Sequence, residues 1–294
     1  MSEHNYDVIM IGGGPARLFA GIACVRNELR TLVLEKQTYP IDKACGEGIM
    51  PSGVNNFKKL GVAHFLEKYP YHLFKRISYV SAKGSVAEAN FAEGCGWGVQ
   101  RTKLSAALLE CAETLPNLEI QEGASVACFL EENPEVSIKN NVFHPKLLIG
   151  ADGLHSRVRK LANLEATIPK LKRWGVRQHF NVEPWSAFVE IHWGSGLEAY
   201  VTPVSETSIN VSLLWDAKRY KPEHGGKKLF CSMLNEFPEL QDRLKNGDVL
   251  DEPVAKGPLF QKTLGVANGK ILLIGDAAGF FDPITGEGIG IAAR

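Results

Sequence analysis

Several common functional signatures are missing from this sequence, and each absence excludes a class of protein. Basic and acidic residues balance at 33 each, so no excess positive charge favours a nucleic-acid partner, and we expect none. The six cysteines form no Cys-x-x-Cys pair, and no secretory leader precedes the first apolar segment. These features indicate a reducing compartment, and we expect the protein to be cytoplasmic.

Further absences concern membranes, metals and hydrolysis. No apolar run is long enough to span a bilayer, so we expect no transmembrane segment, while peripheral contact with a membrane stays open. No set of His, Cys and carboxylate residues has the spacing of metal ligands, and no Gly-x-Ser-x-Gly elbow occurs. We therefore predict no metal site and find no support for hydrolase chemistry.

Glycine, in contrast, is abundant, and its 29 residues cluster at a few points. One cluster follows the apolar segment Tyr6–Ile11 and opens a helical pattern: Gly12, Gly13, Gly14, Pro15 and Ala16. Glycines let the backbone approach a pyrophosphate, and a helix N-terminus offers free N–H groups and a positive dipole. Glu35, with Lys36 beside it, ends the second predicted strand at the distance where an acid binds ribose hydroxyls. This pattern predicts a dinucleotide site.

One residue departs from the Gly-x-Gly-x-x-Gly fingerprint. Arg17 stands where the third glycine permits close packing of helix on strand. Its long charged side chain must turn outward, push the helix away or intrude on the phosphate site. We therefore expect Arg17 to affect cofactor affinity.

Two later motifs also follow predicted strands. Asp152 and Gly153 follow Pro145–Gly150 after one intervening alanine, and Gly275 and Asp276 lie at the end of Lys270–Gly275. Carboxylates at the carboxyl end of parallel strands face the crevice where α/β folds bind ligands. Either motif alone is common in turns. Their order behind a dinucleotide fingerprint makes the combination specific.

The stretch between these motifs has a different pattern. Short strands with polar or Gly/Pro turns are predicted at Trp174–Val182, Ala187–Trp193, Glu198–Thr202 and Ser208–Leu214, followed by a helix at Gly226–Leu244. This alternation is typical of a mostly antiparallel sheet. Arg177, His179 and Asn181 share one strand face, and His192 alternates with Glu190. These polar groups either line a substrate cavity or face solvent.

The motifs together resemble the flavoprotein superfamily of p-hydroxybenzoate hydroxylase-type monooxygenases, geranylgeranyl reductases and flavin-dependent halogenases, over essentially the whole chain. The resemblance implies an α/β fold: a Rossmann-like FAD-binding domain of the glutathione reductase type with an inserted, mostly antiparallel β-sheet substrate domain. It places the FAD-binding domain at residues 1–75, 98–170 and 265–294, and the substrate domain at 76–97 and 171–264.

The resemblance also assigns roles to residues. The first glycine motif and Glu35 would bind the ADP half of FAD, and Arg101 would contact the cofactor. Asp152 and Gly153 would serve FAD and, in a monooxygenase, NAD(P)H, while Asp276 would bind the ribityl chain. The residues implied to lie beside the isoalloxazine are Pro283, Gly286, Gly288 and Ile289. A helix N-terminus there favours negative charge on a reduced flavin.

Subfamily signals conflict. Cys45, in a Cys-Gly-Glu-Gly segment, resembles the cysteine loop near the flavin of geranylgeranyl reductases, although a small buried residue explains it equally. Geranylgeranyl reductases carry Tyr-x-Trp-x-Phe-Pro in the region of Glu198–Pro203, where Tyr200 and Pro203 are placed plausibly, but the tryptophan is absent, as are those of the halogenase motif. Lys75 is interpreted as a solvated lysine and not as a halogenase lysine.

The leading hypothesis is an NAD(P)H-using, FAD-dependent monooxygenase that hydroxylates or epoxidises an apolar or aromatic small molecule. One alternative is a geranylgeranyl reductase-like enzyme that reduces C=C bonds. The other is a non-catalytic fragment or degenerate copy, suggested by Arg17 and by the end at Arg294. The chain stops inside an apolar helical pattern, Gly288–Arg294, without a cap, and we expect it to be truncated unless a short helix ends there.

Overall fold

The computed structural model describes residues 6–124, 126–130, 133–139, 141–167, 173–220, 226–280, 282–283 and 286–294. Its helices, in chain order, are α1 Pro15–Arg26, α2 Pro51–Lys59, α3 Ala63–Leu66, α4 Arg101–Glu113, α5 Arg157–Leu161, α6 Lys227–Leu234, α7 Pro238–Leu244 and α8 Gly288–Ala292.

The strands are β1 Val8–Ile11, β2 Thr31–Leu34, β3 Gly48–Ile49, β4 His72–Phe74, β5 Arg76–Val80, β6 Val86–Asn90, β7 Gly96–Gly98, β8 Leu118–Gln121, β9 Val126–Leu130, β10 Pro134–Ile138, β11 Asn141–Phe143, β12 Leu147–Gly150, β13 Arg173–Asn181, β14 Val189–Trp193, β15 Leu197–Pro203, β16 Ile209–Asp216, β17 Asp248–Val249, β18 Val254–Lys256, β19 Ala267–Asn268 and β20 Ile271–Leu273.

A six-stranded sheet in the order β19-β20-β12-β1-β2-β8 carries the first glycine motif. Its strands are parallel except for β19, with Val8 opposite both Leu147 and Thr31. Helices α1 and α4 cover one face, and the small sheet β11-β10-β9 packs on the other. Because both faces are covered, β1 and β2 are continuous apolar runs. The predicted α/β fold with a parallel sheet is confirmed.

A second sheet, in the order β17-β13-β16-β15-β14-β5-β6 with β18 also paired to β13, holds the inserted strands. Its pairs are antiparallel except for β14 with β5. Helices α6 and α7 cover one side of β13, β15 and β16, which we call the back face. The opposite side, the front face, carries a row of paired residues: Arg177, Ser212, Tyr200, Ile191 and Tyr79.

The single helix predicted at Gly226–Leu244 is wrong. Two helices occupy this stretch, α6 and α7, and the break falls just before Pro238. Proline has no N–H to donate within a helix, and it fits the first helical position instead. Phe237 before it has an extended φ of −120°, as residues preceding proline prefer. The break folds α7 back toward the sheet, and Leu240 and Leu244 are buried.

Candidate functional site

Three motifs meet at the carboxyl edge of the parallel sheet. Gly12 has a φ of +128°, and a Cβ there would lie 2.1 Å from the carbonyl oxygen of Ala151, so only glycine fits. Gly275 has a φ of +56°, and a Cβ on it would lie 2.8 Å from the Cβ of Ala16. The first glycine motif therefore packs directly against both later motifs, as expected of a single cleft.

The N-terminus of α1 opens onto this cleft. Gly14 is its N-cap residue and has no side chain to cap the helix, and Pro15 occupies the first turn. A Cβ added to Gly14 would meet nothing within 4 Å. Backbone N–H groups of the first turn are thus available to an anion, and the helix dipole adds positive potential.

Arg17 does not turn outward. Its side chain is fully buried, and its guanidinium donates to the carbonyl oxygen of Leu34 at 3.0 Å and to Oε2 of Glu35 at 3.2 Å. It also donates to the hydroxyl of Tyr39. Burial lowers the pKa of Arg17 to about 10, with Glu35 opposing the shift, so the residue is charged at neutral pH. Arg17 thus pairs with the acid predicted to bind ribose.

The carboxylate of Asp152 is used to cap the N-terminus of α5, the helix that follows it. Its carboxylate accepts from the hydroxyl of Ser156 and from the backbone N–H groups of Arg157, at 2.6 Å, and Val158, at 3.2 Å. Ser156 is the N-cap of α5 and accepts from the N–H of Arg159. Gly153 has a φ of +81° and open space around its Cα, so its backbone is the part of this motif that a ligand could approach.

Unpaired charges surround the middle of the cleft. Arg101, which begins α4, is 8% exposed, and its buried Nε has no acceptor among the residues described. Asp276 is exposed to solvent and accepts no hydrogen bond from the part of the chain described. Packing of the surrounding protein still raises the pKa of Asp276, while Lys43, Arg101 and Lys256 oppose the rise.

Lys43 is a cleft residue that the motifs did not single out. Burial lowers the pKa of its ammonium, Arg101 and Lys256 lower it further, and Asp276 and Glu35 act against them. Lys43 therefore stands among charges contributed by β2, α4, β18 and the turn after β20. Only its position next to Cys45 hinted at this role in the sequence.

The segment Asp42–Glu47, here called the Cys45 loop, joins the cleft to the front face of the inserted sheet. The carbonyl oxygen of Cys45 accepts from Asn210 at 2.8 Å and from Ser212 at 3.1 Å. The Cys45 thiol accepts from the N–H of Glu47 at 3.3 Å, and burial raises its pKa. A protonated thiol without a base beside it is not an activated nucleophile.

The polar residues predicted on β13 and β14 lie on different faces of the inserted sheet. Arg177 and His179 are 1% and 5% exposed and point at the Cys45 loop, so the solvent-facing alternative is wrong for them, whereas Asn181 is exposed. Glu190 and His192 lie on the back face, where Glu190 accepts from Trp185 at 3.0 Å. The front face therefore carries polar groups from β13 and β16, whereas Glu190 and His192 of β14 lie on the back face. Lys75 is exposed, as expected.

The C-terminal motif lies next to the same loop. Gly286 has a φ of +64°, and a Cβ on it would lie 3.3 Å from Cε of Met50. Helix α8, which begins at Gly288 and buries Ile289, crosses α2 at Gly53 and Gly290. Pro283 follows Asp282, whose two carboxylate oxygens both accept from Nη1 of Arg173, at 2.8 and 2.9 Å. The motif is thus held between α2 and the front face.

Comparison with known proteins decides the family. The FAD binding domain model matches residues 5–221. The chain belongs to this family. The match confirms the predicted membership of the FAD-dependent oxidoreductase superfamily.

Relatives of this FAD-binding family member include two enzyme classes. Digeranylgeranylglycerophospholipid reductase of Methanocella arvoryzae is 26% identical over 308 residues, 98% of this chain and 74% of the relative. Squalene monooxygenase of Mus musculus is 21% identical over 314 residues, 98% and 53% of the two chains. The solved flavoprotein/dehydrogenase from Cytophaga hutchinsonii superposes with a TM-score of 0.87 at 18% identity, covering 99% of this chain and 75% of that one, which shows the shared fold.

The cleft fits FAD in most places. The uncapped α1 N-terminus suits a pyrophosphate, and the unsatisfied Nε of Arg101 and the carboxylate of Asp276 lack partners within the described structure. Glu35 is the exception, because Arg17 already pairs with it. No helix among the described residues is long and apolar enough to cross a membrane.

Proposed function

We propose that this FAD-binding protein is an NAD(P)H-using monooxygenase that hydroxylates or epoxidises an apolar or aromatic small molecule between the cleft and the front face. Bound FAD supplies the redox chemistry. The side chains of the protein then need only bind, orient and exclude water.

The observation that carries the substrate class is the apolar half of the front face. Buried Phe74, Val189, Ile191, Tyr200 and Leu214 form one cluster there. Half-exposed side chains continue it outward: Met50, Ile77, Tyr79, Phe91, Trp193 and Leu259. The half-exposed members offer apolar area to a ligand, and covering that area contributes about 25 cal/mol for each Å².

This surface borders the proposed flavin end of the cleft. Met50 contacts Gly286, and Arg173 bridges Glu198 on β15 to Asp282 before Pro283. An apolar substrate on Met50 would therefore lie against the segment proposed to hold the isoalloxazine. We further propose that Gly12 to Ala16, Glu35, Lys36, Arg101, Gly153, Gly275 and Asp276 contact FAD, with Asp152 acting through the backbone of Gly153.

The proposal is tested by measuring oxygen uptake and the formation of oxygenated product in the same reaction. Holoprotein is reduced anaerobically with NADH or NADPH while flavin absorbance is recorded, and oxygen uptake is then measured with a panel of phenols and a farnesyl-chain alcohol. The expected result is flavin reduction followed by an oxygenated product formed in step with oxygen uptake. Oxygen uptake without product, for every compound of the panel, contradicts the proposal.

A second candidate, C=C reduction, is favoured by the position of the Cys45 loop against the front face and by the similarity to the archaeal reductase. Its expected result is a saturated product from the farnesyl-chain alcohol under anaerobic conditions, and this product should be lost in Cys45→Ala.

A third candidate, a copy that no longer binds FAD, is favoured by the Arg17–Glu35 pair. It predicts colourless protein that takes up no FAD until Arg17→Gly is introduced.

A further inference from the structure

Glu47 is a buried carboxylate in an unfavourable backbone conformation. Its side chain is 1% exposed, and its φ is +60° although it is not glycine. Left-handed backbone at a non-glycine residue costs on the order of 1–3 kcal/mol, and burying a carboxylate adds to that. The neighbours Gly46 and Gly48 show that glycine is accommodated in this segment. If position 47 only had to form this turn, glycine would do so without the free-energy cost of left-handed backbone and of a buried carboxylate.

The two oxygens of Glu47 reach two different parts of the molecule. Oε1 accepts from the backbone N–H of Arg101 at 2.7 Å, at the start of α4 in the cofactor cleft. Oε2 lies 2.6 Å from Nε2 of His179 on β13 of the inserted sheet. The backbone carbonyl of Glu47 also accepts from Val99. One side chain thus connects the inserted sheet to the helix that carries Arg101.

His179 is held between two carboxylates. Nε2 faces Glu47, and Nδ1 lies 2.7 Å from Oδ2 of Asp251, whose other oxygen accepts from the N–H of His179. Both ring nitrogens face acceptors, and only imidazolium donates from both. The remaining charged neighbours are Arg177, at 3.3 Å from Nδ1, and Asp42, which pairs with Arg177.

We propose that Glu47 is a positioning residue that transmits the charge of His179 to Arg101, so that the inserted sheet controls how firmly the cleft holds FAD. With His179 charged, Glu47 is fixed and presents Oε1 to the N-terminus of α4. With His179 neutral, one ring nitrogen opposes a carboxylate, Glu47 loses its cation, and the start of α4 is no longer fixed. This proposal rests on the proposed use of FAD.

The direction of the pH effect follows from the surroundings of His179. Burial opposes its charge, but Glu47 and Asp251 outweigh burial and the repulsion of Arg177, and the pKa of the imidazole is raised. The stabilising charge is therefore fully present below the ordinary histidine pKa of about 6.5 and is lost as pH rises through the raised value. FAD affinity should fall over the same range.

The experiment measures FAD dissociation constants from pH 6 to 8.5 by flavin fluorescence. We expect the wild type to lose about tenfold in affinity across this range, because FAD binding and the charge of His179 are linked through Glu47. Glu47→Gln keeps an acceptor for the Arg101 N–H and removes the charge facing His179. Its affinity should therefore be independent of pH in this range, while Glu47→Ala should bind FAD at least tenfold more weakly throughout.

A matched control and a second measurement complete the test. Glu88→Gln removes an exposed carboxylate on the same sheet that pairs with Arg76, and it should keep the pH dependence of the wild type. In apoprotein, the amide resonance of Arg101 should titrate together with the His179 ring in the wild type and not in Glu47→Gln. Equal pH dependence of wild type and Glu47→Gln, or an Arg101 amide that does not follow His179, overturns the proposal. Failure of the wild type to bind FAD at any pH overturns the proposed function instead, and the apoprotein titration still decides the coupling.

Discussion

Arg17 and Glu35 form a buried ion pair at the end of β2. Nη1 of the arginine lies 3.2 Å from Oε2 of the carboxylate, with side chains 0% and 2% exposed. The other oxygen, Oε1, accepts from the N–H of Gln37 at 2.8 Å. Both oxygens therefore have partners inside the protein, and a ribose hydroxyl must compete for them. The departure from the glycine fingerprint therefore acts on Glu35, the acid proposed to bind ribose.

We predict that Arg17→Gly binds FAD about tenfold or more tightly than the wild type. A hydrogen bond to a charged group contributes about 1.5–3 kcal/mol, and about 1.4 kcal/mol is tenfold in affinity. The apoprotein should become less stable at the same time, because Glu35 keeps its burial and loses its cation. Fluorescence titration with FAD and urea unfolding of the apoprotein measure the two effects.

Arg26→Gly is the matched control for the cost of glycine in a helix. Arg26 lies in the last turn of α1 and donates to the carbonyl oxygen of Lys59, away from the cleft. Its replacement should lower stability by about 1 kcal/mol without changing FAD affinity. Equal FAD affinities for the two variants would show that the Arg17–Glu35 pair does not compete with the cofactor.

The fold was largely predictable because its signals are local. The apolar runs of β1 and β2, the glycines between strand and helix, and the alternation in β13 to β16 each lie within a few residues. The helix over Gly226–Leu244 was wrong because its apolar pattern continues across the break, although Pro238 itself was the available signal.

The site was less predictable because it depends on what covers each face. Alternation places Arg177 and His179 on one side of β13, but it does not reveal that the Cys45 loop buries them. It likewise cannot place Glu190 on the back face, since this depends on the register of β14 with β15. Glu47 and Asp251 each reach His179 only through the tertiary fold. No spacing in the sequence therefore indicated that either carboxylate pairs with this histidine.

We predict that Lys43→Met weakens FAD binding about tenfold at neutral pH, because Lys43 is a half-buried cation whose charge interacts with Arg101 and Asp276. Since its pKa is lowered, Lys43 loses its charge at a lower pH than the usual value of about 10.4. Binding by the wild type should weaken as pH rises through that lowered value, and Lys43→Met should lack this step. Lys75→Met, at an exposed lysine, should bind FAD like the wild type. The same loss in both variants contradicts a local role for Lys43.

We predict that Gly53→Ala destabilises the apoprotein by about 1–3 kcal/mol, as overpacking does. A Cβ on Gly53 would lie 2.9 Å from the Cα of Gly290, where α2 crosses α8, and backbone there cannot move aside like a side chain. Gly288→Ala, in the first turn of α8, meets nothing within 4 Å and serves as the control. Thermal unfolding should show a lower midpoint for the first variant and little change for the second. Similar midpoints for both would contradict the close crossing.

We predict that Asp276→Ala loses FAD affinity about tenfold while the apoprotein keeps or gains stability at neutral pH. Asp276 accepts no hydrogen bond within the described structure, and its pKa is raised, so the folded apoprotein disfavours its charged form. A residue that only stabilises the fold would give the opposite sign on removal. Asp248→Ala, at an exposed aspartate of β17, should change neither quantity. Isothermal titration with FAD and urea unfolding measure the pair of effects, and a variant that loses stability but binds FAD normally would assign Asp276 to the fold and not to the cofactor.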